Sequence, residues 1–347
     1  MTDVALRSER FSVDDSFEAV NQLLYDQGCT DGLPVVPPTE PRIVAMLHGT
    51  RRPSDETLGA LDPLKGEATV EKIAINAVMA GCLPEYMPVL IAAVEALIEP
   101  EFNAYTMQAT TSPVGPMLVL NGPIRHQLDV NCGASCMGPG RRANATLGRA
   151  IRLILLNIGG GIPGLIDKAT HGQPAKYTFC FGENEEESPW EPFHVEYGFA
   201  PDQSTVAVFA VHGDADMLDI VTQRGDAMLR CFAQTVNGVS LHNTQRPFEA
   251  PMIVFSPEHA GIVARSGFSK AEAKGYLYEH SGVPLAHFSE EMQHGRIERW
   301  GWAKDGVVRP APGPEGPKSF RILVAGGVGP HSEYISCTSQ AIRPIGD

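Results

Sequence analysis

The sequence lacks the features that several large protein classes require. Its 347 residues contain 27 Lys and Arg against 41 Asp and Glu, a formal net charge of −14. A general binder of the nucleic-acid backbone needs a basic surface, so this charge excludes that class. No run approaches the roughly 20 apolar residues of a membrane span, and the first residues, MTDVALRSERFSVDDSF, contain no apolar signal core. We therefore expect a cytoplasmic protein that binds neither nucleic acid nor a membrane.

Cysteine is scarce, and several common catalytic motifs are missing. The chain has 7 cysteines, too few for a disulfide scaffold, and the odd count is typical of free thiols in a reducing compartment. The patterns GxxxxGK[ST], HExxH and GxSxG do not occur. The GGVGP string at 326–330 is not the GxGxxG dinucleotide fingerprint. We therefore expect no nucleotide cofactor.

The periodicity of apolar residues along the sequence predicts an α/β or α+β fold. Helical periodicity dominates a first domain, 1–175, and alternating strand and helix signals indicate an α/β domain with parallel strands at 176–347. No flexible linker marks this boundary and no internal repeat is evident. We predict helices at 16–27, 39–47, 67–97 with a break at 81–85, 146–158, 217–222, 227–236 and 269–280, and strands at 117–120, 177–181, 205–211, 252–255 and 320–325.

The residues 131–150, NCGASCMGPGRRANATLGRA, form the strongest candidate site. Cys132 and Cys136 lie in a glycine-rich turn just before a predicted helix start at Arg141 and Arg142. Positive charge at a helix N-terminus and on guanidinium groups favours thiolate over thiol. We therefore predict that Cys132 and Cys136 are catalytic. The alternative is two buried thiols that act as small hydrophobic side chains.

The same stretch has the features of an anion-binding site. Free N–H groups at a helix start and the planar fork of arginine both suit carboxylate or phosphate groups. The alternative is a solvated helix face whose arginines pair with nearby carboxylates. The predicted substrate-binding residues are Asp31, Gly138, Gly140, Arg141, Arg142 and Asn144.

Four further residues are candidates for the catalytic chemistry. Cys82 and Glu85 lie in a GCLPEY break between two apolar helices, where helix ends often line pockets, although a plain helix-breaking turn explains them too. His194 and His331 could move protons, and His331 follows a glycine-rich turn at the end of a predicted strand.

The acidic loop that begins at residue 183 suggests an alternative chemistry. Oxygen and imidazole ligands from Glu183, Glu185 and His194 could hold a divalent metal. Such dense carboxylates are more often a solvated loop.

Several strings together resemble a bacterial family of mostly uncharacterised proteins. They are TDGLPVVPPT at 30–39, NAVMAGCLPEYMPV at 76–89, NGPI at 121–124, GPGRRANATLGRA at 138–150 and ENEEESPWEP at 183–192. This family is associated with genes for small selenoprotein-like proteins that carry a UGSC motif. The resemblance implies thiol or selenol chemistry and a small UGSC-type partner protein.

The residues and the resemblance lead to one main functional hypothesis. We expect a cysteine-dependent enzyme, of lyase or hydrolase type, that cleaves or transforms a carbon–heteroatom bond in a small organic anion, without a cofactor. We also expect self-association into a homo-oligomer. The alternatives are a metal-dependent hydratase or hydrolase, and a non-catalytic subunit of a thiol- or selenol-reductase-like complex.

Overall fold

The computed structural model of this protein describes residues 6–239, 250–310 and 315–346. Its helices are α1 (Phe17–Asp26), α2 (Glu40–Leu47), α3 (Val70–Ala80), α4 (Met87–Ile98), α5 (Ala104–Gln108), α6 (Ile124–Gln127), α7 (Arg142–Asn157), α8 (Phe193–Glu196), α9 (Gly225–Val239), α10 (Pro257–Arg265), α11 (Lys270–His280), α12 (Glu290–Met292) and α13 (Glu298–Trp300). Its strands are β1 (Thr57–Leu61), β2 (Gly66–Thr69), β3 (Gly115–Asn121), β4 (Cys180–Gly182), β5 (Thr205–Leu218), β6 (Ala250–Phe255), β7 (Val283–Pro284), β8 (Ala303–Lys304), β9 (Val307–Val308), β10 (Arg321–Val324) and β11 (His331–Pro344). Within these described ranges, no helix has the length and apolar character needed to cross a membrane.

Side-chain caps explain where several helices begin. Ser16 accepts a hydrogen bond from the Ala19 N–H at the start of α1, and Thr69 does the same for α3. Ser269 forms a full capping box with Glu272 at α11. Each cap satisfies an N–H group that has no partner inside the helix.

The predicted helix at 217–222 is wrong. The strand β5 continues through this region as far as Leu218, because it pairs with the long strand β11, in which His331 lies opposite Leu218. Pairing between residues far apart in sequence overrides the local pattern.

A six-stranded mixed sheet forms the centre of the protein, in the order β4–β3–β5–β11–β6–β10. The pairs β3–β4 and β6–β10 are parallel, and the other neighbours are antiparallel. The α/β prediction is therefore confirmed, with parallel strands in the C-terminal part. A two-stranded sheet (β1, β2) and a three-stranded sheet (β7, β9, β8) lie apart from it.

The large sheet contains the same three-strand unit twice. In β3–β4–β5 and again in β6–β10–β11, the first strand lies between a parallel second strand and an antiparallel third strand. The first strands also share a sequence pattern, PMLV at 116–119 and PMIV at 251–254. Met117 and Met252 also pack in one hydrophobic cluster, so the corresponding side chains of the two units point to the same face of the sheet. The sheet therefore contains an internal structural repeat that the sequence alone did not reveal.

The sheet curls so that its two edge strands approach each other. The N–H of Asn184, just after β4, donates to the carbonyl of Val324 at the end of β10, at 2.7 Å. Side chains from all six strands form one enclosed cluster, including Phe181, Phe209 and Leu323. The helices α3, α4 and α7 cover one half of the outer face, and α9, α10 and α11 cover the other. The carboxyl ends of the two edge strands therefore meet.

The predicted domain boundary near residue 175 stays a prediction. The strand β3 from the first segment pairs with β4 and β5 from the second, so one sheet contains strands from both sides of it.

Two helical glycines provide a matched test of this packing. A Cβ at Gly148 in α7 would lie 2.6 Å from the backbone N of Phe179, whereas a Cβ at Gly275 in α11 meets nothing within 4 Å. We expect G148A to lower the free energy of unfolding by about 1–3 kcal/mol through overpacking. We expect G275A to raise it by up to about 1 kcal/mol through higher helix propensity. Chemical denaturation measures both, and a G148A protein as stable as the G275A protein would contradict the packing of α7 on β4.

Candidate functional site

The cysteine-containing loop is held in place by Asn144 in the first turn of α7. This buried amide accepts from the Asn131 N–H at 2.8 Å and donates to the carbonyls of Asn131, at 3.1 Å, and Cys136, at 3.0 Å. Asn144 was predicted to bind substrate, but its amide is occupied by these backbone groups. It is a positioning residue for the loop.

The same loop joins the two halves of the curled sheet. The N–H of Gly326, just after β10, donates to the carbonyl of Cys132 at 2.8 Å. The Asn184 side chain donates to the carbonyl of Gly326 at 3.2 Å. A Cβ at Gly327 would lie 2.9 Å from the Cβ of Ala134, so only glycine allows this close approach. The loop therefore lies where the carboxyl ends of β4 and β10 meet.

Cys132 presents a half-buried thiol to the carboxyl end of β4. A Cβ at Gly182 would lie 2.4 Å from its Sγ, so the sulfur packs directly against the glycine Cα. The Nη1 of Arg125 lies 3.7 Å from the same sulfur. Cys132 is thus a partly accessible thiol in contact with a guanidinium group.

Arg125 is buried, and its donors connect the ends of two strands. It donates to the carbonyls of Gly122, at 3.0 Å, and Glu183, at 2.6 Å. Its terminal nitrogens also bond both carboxylate oxygens of Glu186, at 3.1 and 3.0 Å, and an oxygen of Glu185, at 2.9 Å. A buried arginine requires such partners, since an unpaired charge in a protein interior is costly.

Burial and the neighbouring charges act in opposite directions on the Cys132 thiol. Burial raises its pKa, Arg125 lowers it through charge and hydrogen bonding, and Glu186 and Glu185 raise it again. The net pKa lies above the ordinary value of a cysteine. Arg125 itself holds the pKa of Glu186 at about 2. Thiolate formation at Cys132 therefore needs a nearby base.

An imidazole lies beside this cluster. The Nε2 of His126, the residue after Arg125, is 2.9 Å from Oε1 of Glu186. The ring is exposed. Glu186 therefore contacts His126 directly, and its charge raises the pKa of the Cys132 thiol.

A second acid, Glu183, is fully buried behind the cluster. Its Oε2 accepts from the Asn121 side chain at 2.6 Å and from the Phe193 N–H at 2.7 Å. Its Oε1 and the Oδ1 of Asn121 have no hydrogen-bond partner within the residues that the structure describes. Burial raises the pKa of Glu183, and Lys270 partly opposes this.

The other predicted catalytic thiols lie in apolar surroundings. Cys136 belongs to the cluster enclosed by the sheet, and burial raises its pKa to about 12. Cys82 is buried against α7, where its Sγ donates to the Thr146 carbonyl at 3.4 Å, and burial raises its pKa to about 12 as well. Burial thus disfavours the thiolate form of both, and for Cys136 this environment matches the alternative of a buried, hydrophobic thiol.

Among the predicted substrate-binding residues, Asp31 is already paired. Its carboxylate accepts from Nε and Nη2 of Arg149 at 2.8 and 2.9 Å. Arg141 pairs with Asp129 at 2.9 Å and is exposed, as is Arg142. Gly138 and Gly140 are exposed on the same loop. The guanidinium that the structure places against Cys132 is Arg125, which the sequence reasoning missed.

The predicted proton carriers lie in three different surroundings. His194 is buried, its Nε2 lies 3.1 Å from the Ala200 carbonyl, and burial lowers its pKa. His331 is exposed at the start of β11, where it pairs with Asp216 at 2.9 Å. Glu85 is exposed near the start of α4.

The residues of the metal alternative are occupied by other partners. Glu183 is bound to Asn121 and Phe193, Glu185 to Arg125 and to the Gly122 N–H at 2.7 Å. Across 6–239, 250–310 and 315–346, no group of three or more His, Cys, Asp or Glu side chains is arranged to hold a metal ion. The metal alternative stays a prediction.

The residues that sequence reasoning missed are Asn121, Arg125, His126 and Glu186. The string NGPIRH at 121–126 follows directly on a buried strand, where side chains of an open α/β sheet often line a site. The presence of Arg125 and His126 directly after this strand could have identified them as candidate site residues.

Comparison with protein-family models, curated proteins and solved structures finds no match. The resemblance drawn from the sequence strings, and the small partner that it implies, stay predictions.

The hydrogen bonds of Asn144 can be tested with a neighbour as control. We expect N144A to lower the free energy of unfolding by about 1–3 kcal/mol, because it leaves buried backbone groups without partners. It should also speed alkylation of the buried Cys136, measured by mass spectrometry. The control T146A removes only a bond from an exposed hydroxyl to the Arg142 carbonyl. Equal protection of Cys136 in both variants would show that Asn144 does not hold the loop.

Proposed function

We propose that this protein is a cysteine-dependent enzyme that transforms a carbon–heteroatom bond in a small organic anion, with Cys132 as nucleophile. The observation that carries this proposal is the 3.7 Å contact between Nη1 of the buried Arg125 and the half-buried Sγ of Cys132. Positive charge beside a partly accessible thiol stabilises its thiolate, the reactive form. The thiols of Cys29 and Cys82 bond backbone carbonyls instead.

The proposed reaction proceeds through a covalent intermediate. The Cys132 thiolate attacks a carbonyl carbon, an S–C bond forms, and the bond from that carbon to its heteroatom breaks, which leaves a thioester on Cys132. The leaving group departs with the electron pair of the broken bond and takes up the proton that Cys132 released. Water then cleaves the S–C bond and restores the thiol, so the net reaction is hydrolysis.

We assign the proton transfer to His126, held by Glu186. An imidazole oriented by a carboxylate is the usual arrangement for activating a cysteine or serine nucleophile. His126 is exposed and reaches Glu186 at 2.9 Å, whereas His194 is buried and His331 pairs with Asp216 on another strand. His126 therefore replaces these two residues in the proposal.

The anionic group of the substrate would bind on the helix side of the loop. Arg125 is not free for it, because Glu185 and Glu186 occupy its terminal nitrogens. The N-terminus of α7 has no side-chain cap, and the exposed Arg142 begins this 16-residue helix. Unpaired N–H groups, the helix dipole and a guanidinium together favour a carboxylate there.

We also propose a cytoplasmic location. All seven cysteines are free thiols in the structure, which suits a reducing compartment.

A panel of small organic acids that carry ester or thioester groups tests this function by product release. We expect C132S to abolish turnover and the covalent adduct detected by mass spectrometry. We expect H126Q to lower kcat about 10²–10⁴-fold, the usual contribution of a general base. Thermal denaturation checks that both variants fold.

The matched control is H294Q. His294 is also exposed and lies 2.8 Å from a glutamate, Glu298, but on a different surface. It should keep wild-type kcat. Turnover by C132S would disprove the nucleophile, and equal kcat for H126Q and H294Q would disprove the base.

A further inference from the structure

A second cleft lies at the opposite end of β4 from the cysteine site. Its volume is about 570 Å³, and its lining includes Thr30, Arg152, Asp167, Gln173 and Lys176. Lys176 precedes β4, whereas Cys132 packs against Gly182, the last residue of that strand. None of the residues assigned to the thiol chemistry lines this cleft.

Two cations in the cleft share one carboxylate. Lys176 Nζ lies 2.5 Å and Arg152 Nη2 lies 3.7 Å from the same Oδ2 of Asp167. The other oxygen of Asp167 accepts from the Ala169 N–H at 3.1 Å. The side chains of Arg152, Lys176 and Asp167 are only 10%, 14% and 7% exposed. This cluster therefore holds one uncompensated positive charge.

The guanidinium of Arg152 has N–H groups that can still donate hydrogen bonds to a ligand. Within the part of the chain that the structure describes, it donates a hydrogen bond to the Gly161 carbonyl at 3.3 Å. The second carboxylate of the cleft, Asp31, is held by Arg149 through both oxygens. Burial lowers the pKa of both Arg152 and Lys176 in spite of Asp167. A buried net charge of this kind favours binding of a counter-ion.

We infer that this cleft is a second binding site, specific for the carboxylate group of a small organic acid. The planar fork of Arg152 suits a carboxylate, and Lys176 adds a second charged donor. One negative charge neutralises the cluster, whereas a phosphate dianion would leave it negative. The site is independent of Cys132, so it holds a separate ligand or a separate part of a larger one.

Two substitutions with opposite expected effects test the site. Isothermal titration of the full chain with propionate measures the affinity. We expect K176M to weaken binding at least about tenfold, the usual loss for a charge-assisted hydrogen bond. We expect D167N to strengthen binding several-fold, because it removes the competing charge while its amide oxygen can still accept from Ala169. Because only a folded protein can bind propionate more tightly, this gain would also show that the D167N variant folds.

The controls separate this site from its surroundings and from the thiol chemistry. Lys168 is exposed, its side-chain ammonium donates to the Gly164 carbonyl, and it does not line the cleft, so K168M should bind propionate like the wild type. The C132S variant should also bind normally, whether or not the proposed reaction is correct. Equal affinity in K176M and K168M would overturn the site. Tighter binding of inorganic phosphate than of propionate at neutral pH would overturn the preference for a carboxylate.

Discussion

The buried guanidinium of Arg125 is the interaction on which the candidate site depends. It bonds the carbonyls that follow β3 and β4, contacts the thiol of Cys132 and pairs with Glu185 and Glu186. A charge this deeply buried is stable only while its partners stay in place. The same group therefore fixes the strand ends, orients the acidic loop and sets the charge beside the thiol.

The repeated three-strand unit explains why these groups meet. Because the sheet curls, the carboxyl ends of its edge strands come together, and loops from both halves cross at that point. The cysteine loop connects the two halves through the hydrogen bond from the Gly326 N–H to the Cys132 carbonyl. The Asn144 side chain in α7 holds this loop in place. A site at the meeting point of two repeated units is accessible to solvent yet supported on both sides by packed strands.

The helices were largely predictable because their signals are local. Caps such as Ser16, Thr69 and Ser269 and the apolar periodicity that follows them lie within a few residues of each other. The long strand β11 was not predicted, and the end of β5 was read as a helix, since both depend on pairing between distant segments. The repeat was missed for the same reason: outside the PM[LI]V strings, the correspondence lies in strand order and direction.

The site was only partly predictable. The sequence pointed to Cys132, but it assigned the neighbouring positive charge to Arg141 and Arg142, which are close in sequence and exposed in the structure. Arg125 meets Glu186 across 61 residues of chain, and no local pattern shows that contact. Asn144 and Asp31 were predicted to bind substrate, whereas in the structure the side chains of both bond to other groups of the protein.

The pH dependence of Cys132 alkylation, followed by mass spectrometry in the wild type and in an E185Q/E186Q variant, tests most directly whether the cluster of Arg125, Glu185 and Glu186 sets the pKa of the thiol. Both carboxylates raise the pKa of this thiol and both draw on the charge of Arg125. Removing them should lower the pKa of Cys132, so alkylation should begin at a lower pH than in the wild type. An unchanged or higher pKa would show that the charges of this cluster do not act on the thiol, and the account of the site would be wrong.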